Sequence, residues 1–340
     1  MRLHDTINDA LFISMGGIGN LVLLTPALRA FEALYPEVRL HFILPDNGAR
    51  QVVECHPRIG AIIETATSNW SLPLLIKRLR RIRPDIVIAV NGTNPLKCGI
   101  IGLLCGAPLR LGESFRAGKL LYNITVPFDS TLHESAANMR LIRRLSPEIE
   151  TPGPMVWTSF DDRSAAKRFI AENGLDCRWV GLHLGSGPVM SYKRWPTERF
   201  IEVARALVQR FACRVVIFGG SDEAPMAKDA AGKIGEAAII AAGHLTIRQS
   251  FEVMKRSALF VSNDSGPMHL AAAAGAPVIA LFGPTLDYKT SPLGAHSTIL
   301  TAPVACRPCY RYKPIECQSR ECLNNIGVER VVEAAVKMLR

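Results

Sequence analysis

Residues 259–285 of the chain, LFVSNDSGPMHLAAAAGAPVIALFGPT, carry polar and small side chains directly after an apolar run. The apolar run indicates a buried strand, and Pro267 suits the first position of a following helix. A helix start presents backbone N–H groups and the positive end of the helix dipole, and both favour a phosphate. Gly266 would let the backbone approach such a ligand. Three side chains are available for phosphate oxygens and sugar hydroxyls: Asp264, Ser265 and His269. The simpler alternative is that Asp264 and Ser265 only cap the helix.

Two further loops follow apolar runs and carry groups that suit a nucleotide. Residues 182–196, LHLGSGPVMSYKRWP, contain Ser186 between two glycines, and they contain Lys193, whose charge would balance a diphosphate leaving group. Residues 215–223, VVIFGGSDE, end in Glu223, an acceptor for ribose hydroxyls. The alternatives are a solvated surface lysine and an ordinary acid in the first turn of a helix.

The glycine-rich segment GGIGN, residues 16–20, also follows an apolar run. It lacks the Gly-Lys-Ser/Thr of a P-loop, and the residues after Gly19 depart from the GxGxxG pattern of dinucleotide sites. A nicotinamide-dependent dehydrogenase is therefore disfavoured. Tight binding of NAD by a chain that binds no nucleotide sugar would revive that alternative.

Four of the nine cysteines follow the spacing Cys-x2-Cys-x7-Cys-x4-Cys near the C-terminus: Cys306, Cys309, Cys317 and Cys322. Four thiols that open with Cys-x2-Cys fit a tetrahedral structural zinc or iron site. Four thiolates would leave no open position for a substrate, so the role of a metal here would be structural. The alternatives are reduced thiols packed beneath a loop, or disulfides formed after purification.

Apolar strands alternate with helical patterns on both sides of a proline-rich segment, residues 146–157. This alternation predicts two doubly wound α/β domains with parallel sheets, residues 1–150 and 151–340, which face a cleft. Ligands of such sheets bind beyond the carboxyl ends of the strands.

The net charge of +10 is concentrated in residues 77–144, which contain twelve Lys and Arg residues against four Asp and Glu residues. This imbalance indicates an anionic partner such as a phosphate or an acidic membrane surface; the alternative is a solvated face on basic helices. Nucleic acid is disfavoured, because aromatic residues are sparse in this segment and no binding motif occurs there.

The chain contains no apolar run long enough for a membrane helix, and its first residues make a poor signal peptide. We therefore expect a cytoplasmic protein.

Taken together, these segments resemble glycosyltransferase family 9, the ADP-heptose:lipopolysaccharide heptosyltransferases. The resemblance runs through nearly the whole chain and includes, in order, TPALRAF, LHESAANMRLI, KRWPTERF, FGGSDE and NDSGPMHLAAAAGAPVIALFGPT, followed by the cysteine-rich tail. It implies the GT-B architecture of two Rossmann-like domains, with the acceptor on the N-terminal domain and the donor on the C-terminal one. It also implies inverting direct displacement that needs no cofactor for catalysis.

The resemblance implies ADP-heptose as the donor and a hydroxyl of the lipopolysaccharide core, or of a related surface saccharide, as the acceptor. A phosphorylated lipid acceptor would bring the protein into peripheral contact with the inner membrane. The family's donor-binding residues correspond to Ser186, Lys193, Glu223, Leu245, Thr246, Asp264, Ser265, Gly266 and His269. Its acceptor-side loop corresponds to Gly17, Gly19 and Asn20, and the residues implied in catalysis are Asn20, Lys193 and Asp264.

The sequence departs from the family at Asn20, where the family text resembles GDVVLTTPAL and an aspartate is the proposed general base. An amide cannot accept the proton, although it can orient a hydroxyl by hydrogen bonding. Another group then acts as base (Asp46, Glu113 or His133), or the acceptor loses its proton late with help from the leaving diphosphate, or the protein binds donor with little turnover. We favour transfer, because the donor-side residues remain. The same fold acting on another nucleotide sugar or on a protein acceptor is the main rival.

Overall fold

The computed structural model describes residues 6–65, 72–114, 118–309, 317 and 319–340. The chain forms two compact units, Met1–Trp157 and Thr158–Arg340. Each unit contains one six-stranded sheet.

In the N-terminal unit, strands and helices alternate along the chain. The strands are β1 (Asp9–Ile13), β2 (Arg39–Pro45), β3 (Ile59–Thr65), β4 (Ile86–Ala89), β5 (Leu109–Ser114) and β6 (Ile124–Pro127). The helices are α1 (Ile18–Leu34), α2 (Leu72–Ile82), α3 (Pro95–Leu104), α4 (Gly118–Leu121) and α5 (Glu134–Arg143), with a 3-10 turn at Ala49–Val52. All strands are parallel and lie in the order β3-β2-β1-β4-β5-β6. The winding direction therefore reverses between β1 and β4.

The C-terminal unit repeats this plan. Its strands are β7 (Trp179–His183), β8 (Arg214–Phe218), β9 (Ala238–Ile240), β10 (Leu259–Asn263), β11 (Val278–Phe282) and β12 (Ser297–Thr301). Its helices are α6 (Phe160–Glu172), α7 (Thr197–Phe211), α8 (Ala224–Ile234), α9 (Ile247–Met254), α10 (Gly266–Ala273), α11 (Asp287–Thr290), α12 (Glu321–Asn324) and α13 (Val328–Leu339), with a 3-10 turn at Pro188–Lys193. The parallel strand order is β12-β11-β10-β7-β8-β9, so the reversal lies between β7 and β10.

The central strands explain why these sequences form parallel sheets. Every residue of β1, β4, β7, β10 and β11 is buried, because helices cover both faces of each sheet. In the first unit, the Phe12 ring of β1 meets the Phe31 ring of α1 edge-on, with 5.4 Å between centroids. The prediction of two doubly wound α/β domains is confirmed.

The Thr25-Pro26 pair inside α1 anchors the end of the first unit. Pro26 has no N–H to donate to the carbonyl of Val22, and the Thr25 hydroxyl donates to that carbonyl over 2.7 Å instead. The same hydroxyl oxygen accepts the Met155 N–H over 2.9 Å. This polar contact, which is buried at Thr25, ties residues 152–157 to α1.

Five elements of the observed fold were not anticipated from the sequence: helix α3, the edge strand β12 and the short helices α4, α11 and α12. None of them changes the fold class. Within the described ranges, no helix combines the length and the apolar character needed to cross a bilayer.

Candidate active site

The second sheet brings the candidate donor-binding residues to one edge. Parallel strands end at the same edge, and doubly wound sheets bind ligands there, where the winding direction reverses. All nine residues lie in segments that follow strands of this sheet: Ser186 and Lys193 after β7, Glu223 after β8, Leu245 and Thr246 after β9, and Asp264, Ser265, Gly266 and His269 after β10. The loops after β7 and β10 flank the reversal point directly.

An ion pair joins these two loops. Lys193 Nζ donates to Asp264 Oδ2 over 2.8 Å, and Thr285 Oγ1 donates to the same oxygen over 2.7 Å. The side chains of Lys193 and Asp264 are only 16% and 6% exposed. The Asp264 carboxylate therefore holds the lysine ammonium beside the start of α10 and is not used simply to cap the helix. Thr285, at the end of the sequence segment considered first, was not singled out in advance.

A second polar chain connects Glu223 to Ser265 through His183, a residue that sequence reasoning missed. His183 Nε2 lies 3.0 Å from Glu223 Oε2, and His183 Nδ1 lies 2.9 Å from Ser265 Oγ. The His183 side chain is 2% exposed. The signal was available, because a histidine that ends an otherwise apolar buried strand must find polar partners.

The carboxylate of Glu223 is held in its ionised form. Burial acts to raise its pKa, but the hydrogen bond and charge of His183, with the N–H groups of Gly187 and Gly220, outweigh burial and lower the pKa to about 2. Because the Glu223 carboxylate is an acceptor only, Nε2 of His183 carries a hydrogen and donates to it.

The start of α10 carries no side-chain cap. Ser265 occupies the N-cap position, but its hydroxyl makes no capping hydrogen bond and lies near His183 and, at 3.2 Å, near Ser262 Oγ. The first N–H groups of α10 are therefore not covered by that side chain, an arrangement that suits an anion. His269, one turn into the helix, is 5% exposed.

Steric constraints explain why two positions of the loop after β7 are glycine. A Cβ on Gly185 would lie 1.5 Å from Glu223 Oε1, so any larger residue would displace that carboxylate. Gly187 has φ +79°, a conformation that residues with a side chain rarely adopt. Ser186 Oγ donates to the Met190 carbonyl over 2.6 Å, and Arg194 Nη2 donates to the Gly187 carbonyl over 3.0 Å.

Asn263 fixes this loop to the sheet. Its Oδ1 accepts the Trp195 N–H over 2.8 Å, and its Nδ2 donates to the carbonyls of Leu184 and Gly185 over 2.9 and 3.0 Å. Asn263 is fully buried. Its side chain therefore sets the spacing between the loops after β7 and β10, a role that the sequence did not reveal.

Leu245 and Thr246 lie apart from these polar chains, at the start of α9. Thr246 is the N-cap: its Oγ1 accepts the Gln249 N–H over 3.2 Å, and its own N–H donates to Gln249 Oε1 over 3.0 Å. This reciprocal capping box gives Thr246 a structural task. Leu245 is half-buried beside it.

In the first unit, the segment with Gly17, Gly19 and Asn20 follows β1, beside the reversal point between β1 and β4. Asn20 Oδ1 accepts the Gly17 N–H over 3.1 Å. Asn20 Nδ2 lies 2.7 and 2.8 Å from the two carboxylate oxygens of Glu134, at the start of α5. Sequence reasoning missed Glu134, although it stands in the LHESAANMRLI segment.

The three alternative bases named from the sequence occupy different surroundings. Glu113 Oε1 accepts from Asn91 Nδ2 over 2.8 Å. His133 is the N-cap of α5, where its Nδ1 accepts the Ser135 N–H over 3.2 Å. Asp46 is exposed after β2.

The four C-terminal cysteines are all described, whereas residues 310–316 and 318 between them lie outside the described residues. None of the four forms a disulfide. Burial and the charges of neighbouring thiols, including Cys306 and Cys317, raise the pKa of both Cys309 and Cys322. The thiols are thus near enough to influence one another, but in the part of the chain that the structure describes no three His, Cys, Asp or Glu side chains are grouped so as to hold a metal.

Comparison with known proteins identifies the family of the chain. Residues 74–318 match the model of glycosyltransferase family 9 (heptosyltransferase). The chain is 30% identical to lipooligosaccharide heptosyltransferase 2 of Haemophilus influenzae over 315 residues, which cover 86% of this chain and 88% of that protein.

Solved structures share the fold. A glycosyl transferase family 9 protein from Veillonella parvula superposes with a TM-score of 0.82 at 24% identity, over 100% of this chain and 98% of the other. The E. coli ADP-heptose LPS heptosyltransferase II gives a TM-score of 0.75 at 21% identity, over 97% and 98% of the two chains. The resemblance read from the sequence is confirmed, as is the GT-B architecture: the chain belongs to glycosyltransferase family 9, the heptosyltransferase family, and is a glycosyltransferase.

Proposed function

We propose that the protein transfers heptose from ADP-heptose to a hydroxyl of a lipopolysaccharide core, or of a related surface saccharide, with inversion at the anomeric carbon. The observation that carries this proposal is the pair of polar chains at the edge of the second sheet, Lys193–Asp264 and Glu223–His183–Ser265. The donor and the kind of acceptor follow the relatives, which are named as heptosyltransferases of lipopolysaccharide and lipooligosaccharide.

In the proposed donor site, the diphosphate binds at the start of α10. The uncapped N–H groups of the helix, the Ser265 hydroxyl and the Lys193 ammonium supply hydrogen-bond donors and positive charge for it. Glu223 accepts hydrogen bonds from the ribose, for which its ionised carboxylate is suited. Ser186, Leu245, Thr246 and His269 complete the donor set that the family resemblance implies.

In the proposed reaction, an acceptor hydroxyl attacks the anomeric carbon as the bond from that carbon to the diphosphate oxygen breaks. The electron pair of the broken bond remains on the diphosphate, and the hydroxyl proton leaves to a base. Lys193 and the helix dipole stabilise the charge that develops on the leaving group, an effect worth roughly 10²–10³ in rate for one well-placed donor. Asp264 acts by holding Lys193 in position.

We further propose that a structural zinc or iron ion binds Cys306, Cys309, Cys317 and Cys322. Their number and spacing support this proposal, because four thiols that open with Cys-x2-Cys suit a tetrahedral metal site. The side chains as described are not assembled into a site, so no step of the reaction is assigned to a metal.

Because the proposed acceptor is attached to a lipid, we also propose peripheral contact between the first unit and an anionic membrane. Helix α2 exposes a row of basic side chains beside exposed apolar ones. The basic residues are Lys77, Arg78, Arg80 and Arg81, and the apolar ones include Leu72 and Leu74, 36% and 64% exposed. Basic groups attract anionic lipid headgroups by about 1 kcal/mol each, and apolar side chains favour the interface.

The experiment that tests the proposed function measures thermal stabilisation by ADP-, UDP-, GDP- and dTDP-sugars and by NAD, followed by nucleotide release with and without lipopolysaccharide-core acceptors. The proposal expects stabilisation by ADP-heptose and ADP release that depends on the acceptor. Stabilisation by another nucleotide sugar would identify that sugar as the donor in place of ADP-heptose. Binding of NAD alone would favour the alternative function of a dehydrogenase. ADP-heptose binding without release would favour the alternative that Asn20 suggests, a donor-binding protein with little turnover.

A further inference from the structure

The amide of Asn20 is held in one orientation by two partners. Its Oδ1 accepts the Gly17 N–H over 3.1 Å, and its Nδ2 donates to both carboxylate oxygens of Glu134 over 2.7 and 2.8 Å. Rotating the amide by 180° would bring its oxygen against a carboxylate and its NH2 group against an N–H donor, so the hydrogen-bond network fixes the assignment. A carboxylate therefore lies within one hydrogen bond of the position where the family's aspartate would stand.

We propose that Glu134 is the general base that deprotonates the acceptor hydroxyl, and that Asn20 positions it. The assignment rests on the proposed function. It resolves the departure at Asn20: this chain carries its carboxylate at the start of α5, 114 residues along from Asn20.

The carboxylate of Glu134 has the chemistry for this task. An ionised carboxylate is an acceptor only, and Asn20 Nδ2 donates to both of its oxygens. A second carboxylate at residue 20 would disfavour two ionised groups at this distance and would raise the pH at which both lose their protons. An amide avoids this conflict and adds hydrogen bonds that orient the base. Asn20 and Glu134 thus form a unit with one negative charge.

The location of the pair also favours Glu134 over the three bases named from the sequence. Asn20 follows β1 at the reversal point of the first sheet, and this is where doubly wound sheets bind ligands. Glu113 accepts from Asn91, which follows β4, and, within the part of the chain that the structure describes, it forms no hydrogen bond with the segment after β1. Glu134 is joined to that segment directly.

The proton transfer is balanced within the proposed reaction. A Glu134 oxygen takes the proton from the acceptor hydroxyl, whose lone pair forms the new bond to the anomeric carbon. The bond from that carbon to the diphosphate breaks, and its electrons remain on ADP. Protonated Glu134 then returns the proton to water. A positioned base of this kind contributes roughly 10²–10⁴ in rate.

The competing explanation is structural, because an acid in the first turn of α5 also favours the helix dipole. Glu134→Gln separates the two: an amide keeps the shape and can still pair with Asn20, but it cannot accept the proton. A structural role predicts a lower melting temperature with nearly unchanged kcat. The catalytic role predicts a fall in kcat with nearly unchanged donor binding.

The test compares the wild type with E134Q, N20D and N20D/E134Q in acceptor-dependent ADP release, with thermal stabilisation by ADP-heptose as the control for folding and donor binding. The matched control is Glu37→Gln, an exposed acid between α1 and β2, at the opposite edge of the sheet. We expect E134Q to lose about 100-fold or more in kcat and E37Q to lose nothing. The double variant N20D/E134Q restores one carboxylate beside one amide, and it should regain at least about tenfold over E134Q.

N20D alone creates two adjacent carboxylates, so its kcat should reach half-maximum at a higher pH than that of the wild type. An E134Q variant within about threefold of wild-type kcat would overturn the assignment. A double variant that is folded and binds donor, but is no more active than E134Q, would overturn it as well. Absence of transfer by the wild type is a different result, because it rejects the proposed function itself and with it any base.

Discussion

The carboxylate of Glu223 lies 3.0 Å from Nε2 of His183, inside a side-chain environment almost closed to water. The other ring nitrogen of His183 lies 2.9 Å from Ser265 Oγ. In the proposed donor site, these contacts link the group assigned to the ribose with the group assigned to the diphosphate. His183 thereby holds Glu223 and Ser265 in a common geometry.

The low pKa of Glu223 predicts a pH dependence of stability. A carboxyl whose pKa is depressed from 4.5 to about 2 stabilises the folded state fully above pH 4.5, and this contribution is lost as the pH falls toward 2. The free energy of unfolding of Glu223→Gln should therefore differ most from that of the wild type above pH 4.5. The difference should shrink as the pH falls. Urea titrations of both proteins between pH 2 and 7 measure it, and a difference that does not change across this range would contradict the pairing with His183.

Removal of Lys193 should impair both catalysis and stability. Lys193→Met deletes the charge assigned to the leaving diphosphate and leaves the buried Asp264 carboxylate with Thr285 alone. We expect kcat to fall by roughly 10²–10³ and the free energy of unfolding to fall by about 3–5 kcal/mol. Assays of ADP release and urea titration measure the two effects. Lys228→Met, which changes an exposed lysine of α8, is the matched control; equal effects in the two variants would contradict the role of Lys193.

The basic face of α2 should bind anionic lipid. Charge reversal at Lys77, Arg78 and Arg81 should abolish sedimentation with vesicles of phosphatidylglycerol and phosphatidylethanolamine, because three attractive contacts of about 1 kcal/mol each become repulsive. ADP release with a soluble acceptor should remain unchanged, since these residues lie on an exposed face. Salt should weaken the binding of the wild type. Vesicle binding that is the same in the variant and the wild type would reject this surface.

The cysteine cluster should bind about one metal ion per chain. Elemental analysis of reduced protein purified without chelators should find zinc or iron, and Cys306→Ser with Cys309→Ser should remove it. Because the proposed role is structural, the double variant should also melt at a lower temperature. A metal content near zero in the wild type would reject the site.

The local signals for the fold were strong in the sequence. Buried apolar strands such as β4 and β10, separated by helices, predicted the doubly wound class, and the order of motifs predicted the family. Helix α3 escaped notice because its sequence, PLKCGIIGLL, is apolar on most sides and has no polar face to mark a helical period. Its start was nevertheless encoded: Asn94 is the N-cap, and Pro95 is the first helical residue.

The sequence predicted the candidate site residues segment by segment, but it did not predict which side chains from different segments are paired. Asp264, Ser265 and Gly266 stand together at the end of β10, and one motif identifies them. The pairing of Asn20 with Glu134, and that of Glu223 with His183, depends on strand order and helix packing, which join residues 114 and 40 positions apart. Residue types and spacing within a motif carry no information on such pairs, so a carboxylate beside Asn20 could not be inferred.

The most direct test of the central claim is release of ADP from ADP-heptose by the wild-type protein, followed with and without a heptose-accepting lipopolysaccharide core. We predict release that is fast with the acceptor and slow without it, together with heptose joined to the acceptor. ADP-heptose that stabilises the protein but yields no ADP with any core acceptor would contradict transfer to the core. Failure of every nucleotide sugar to stabilise the protein would contradict the donor site itself.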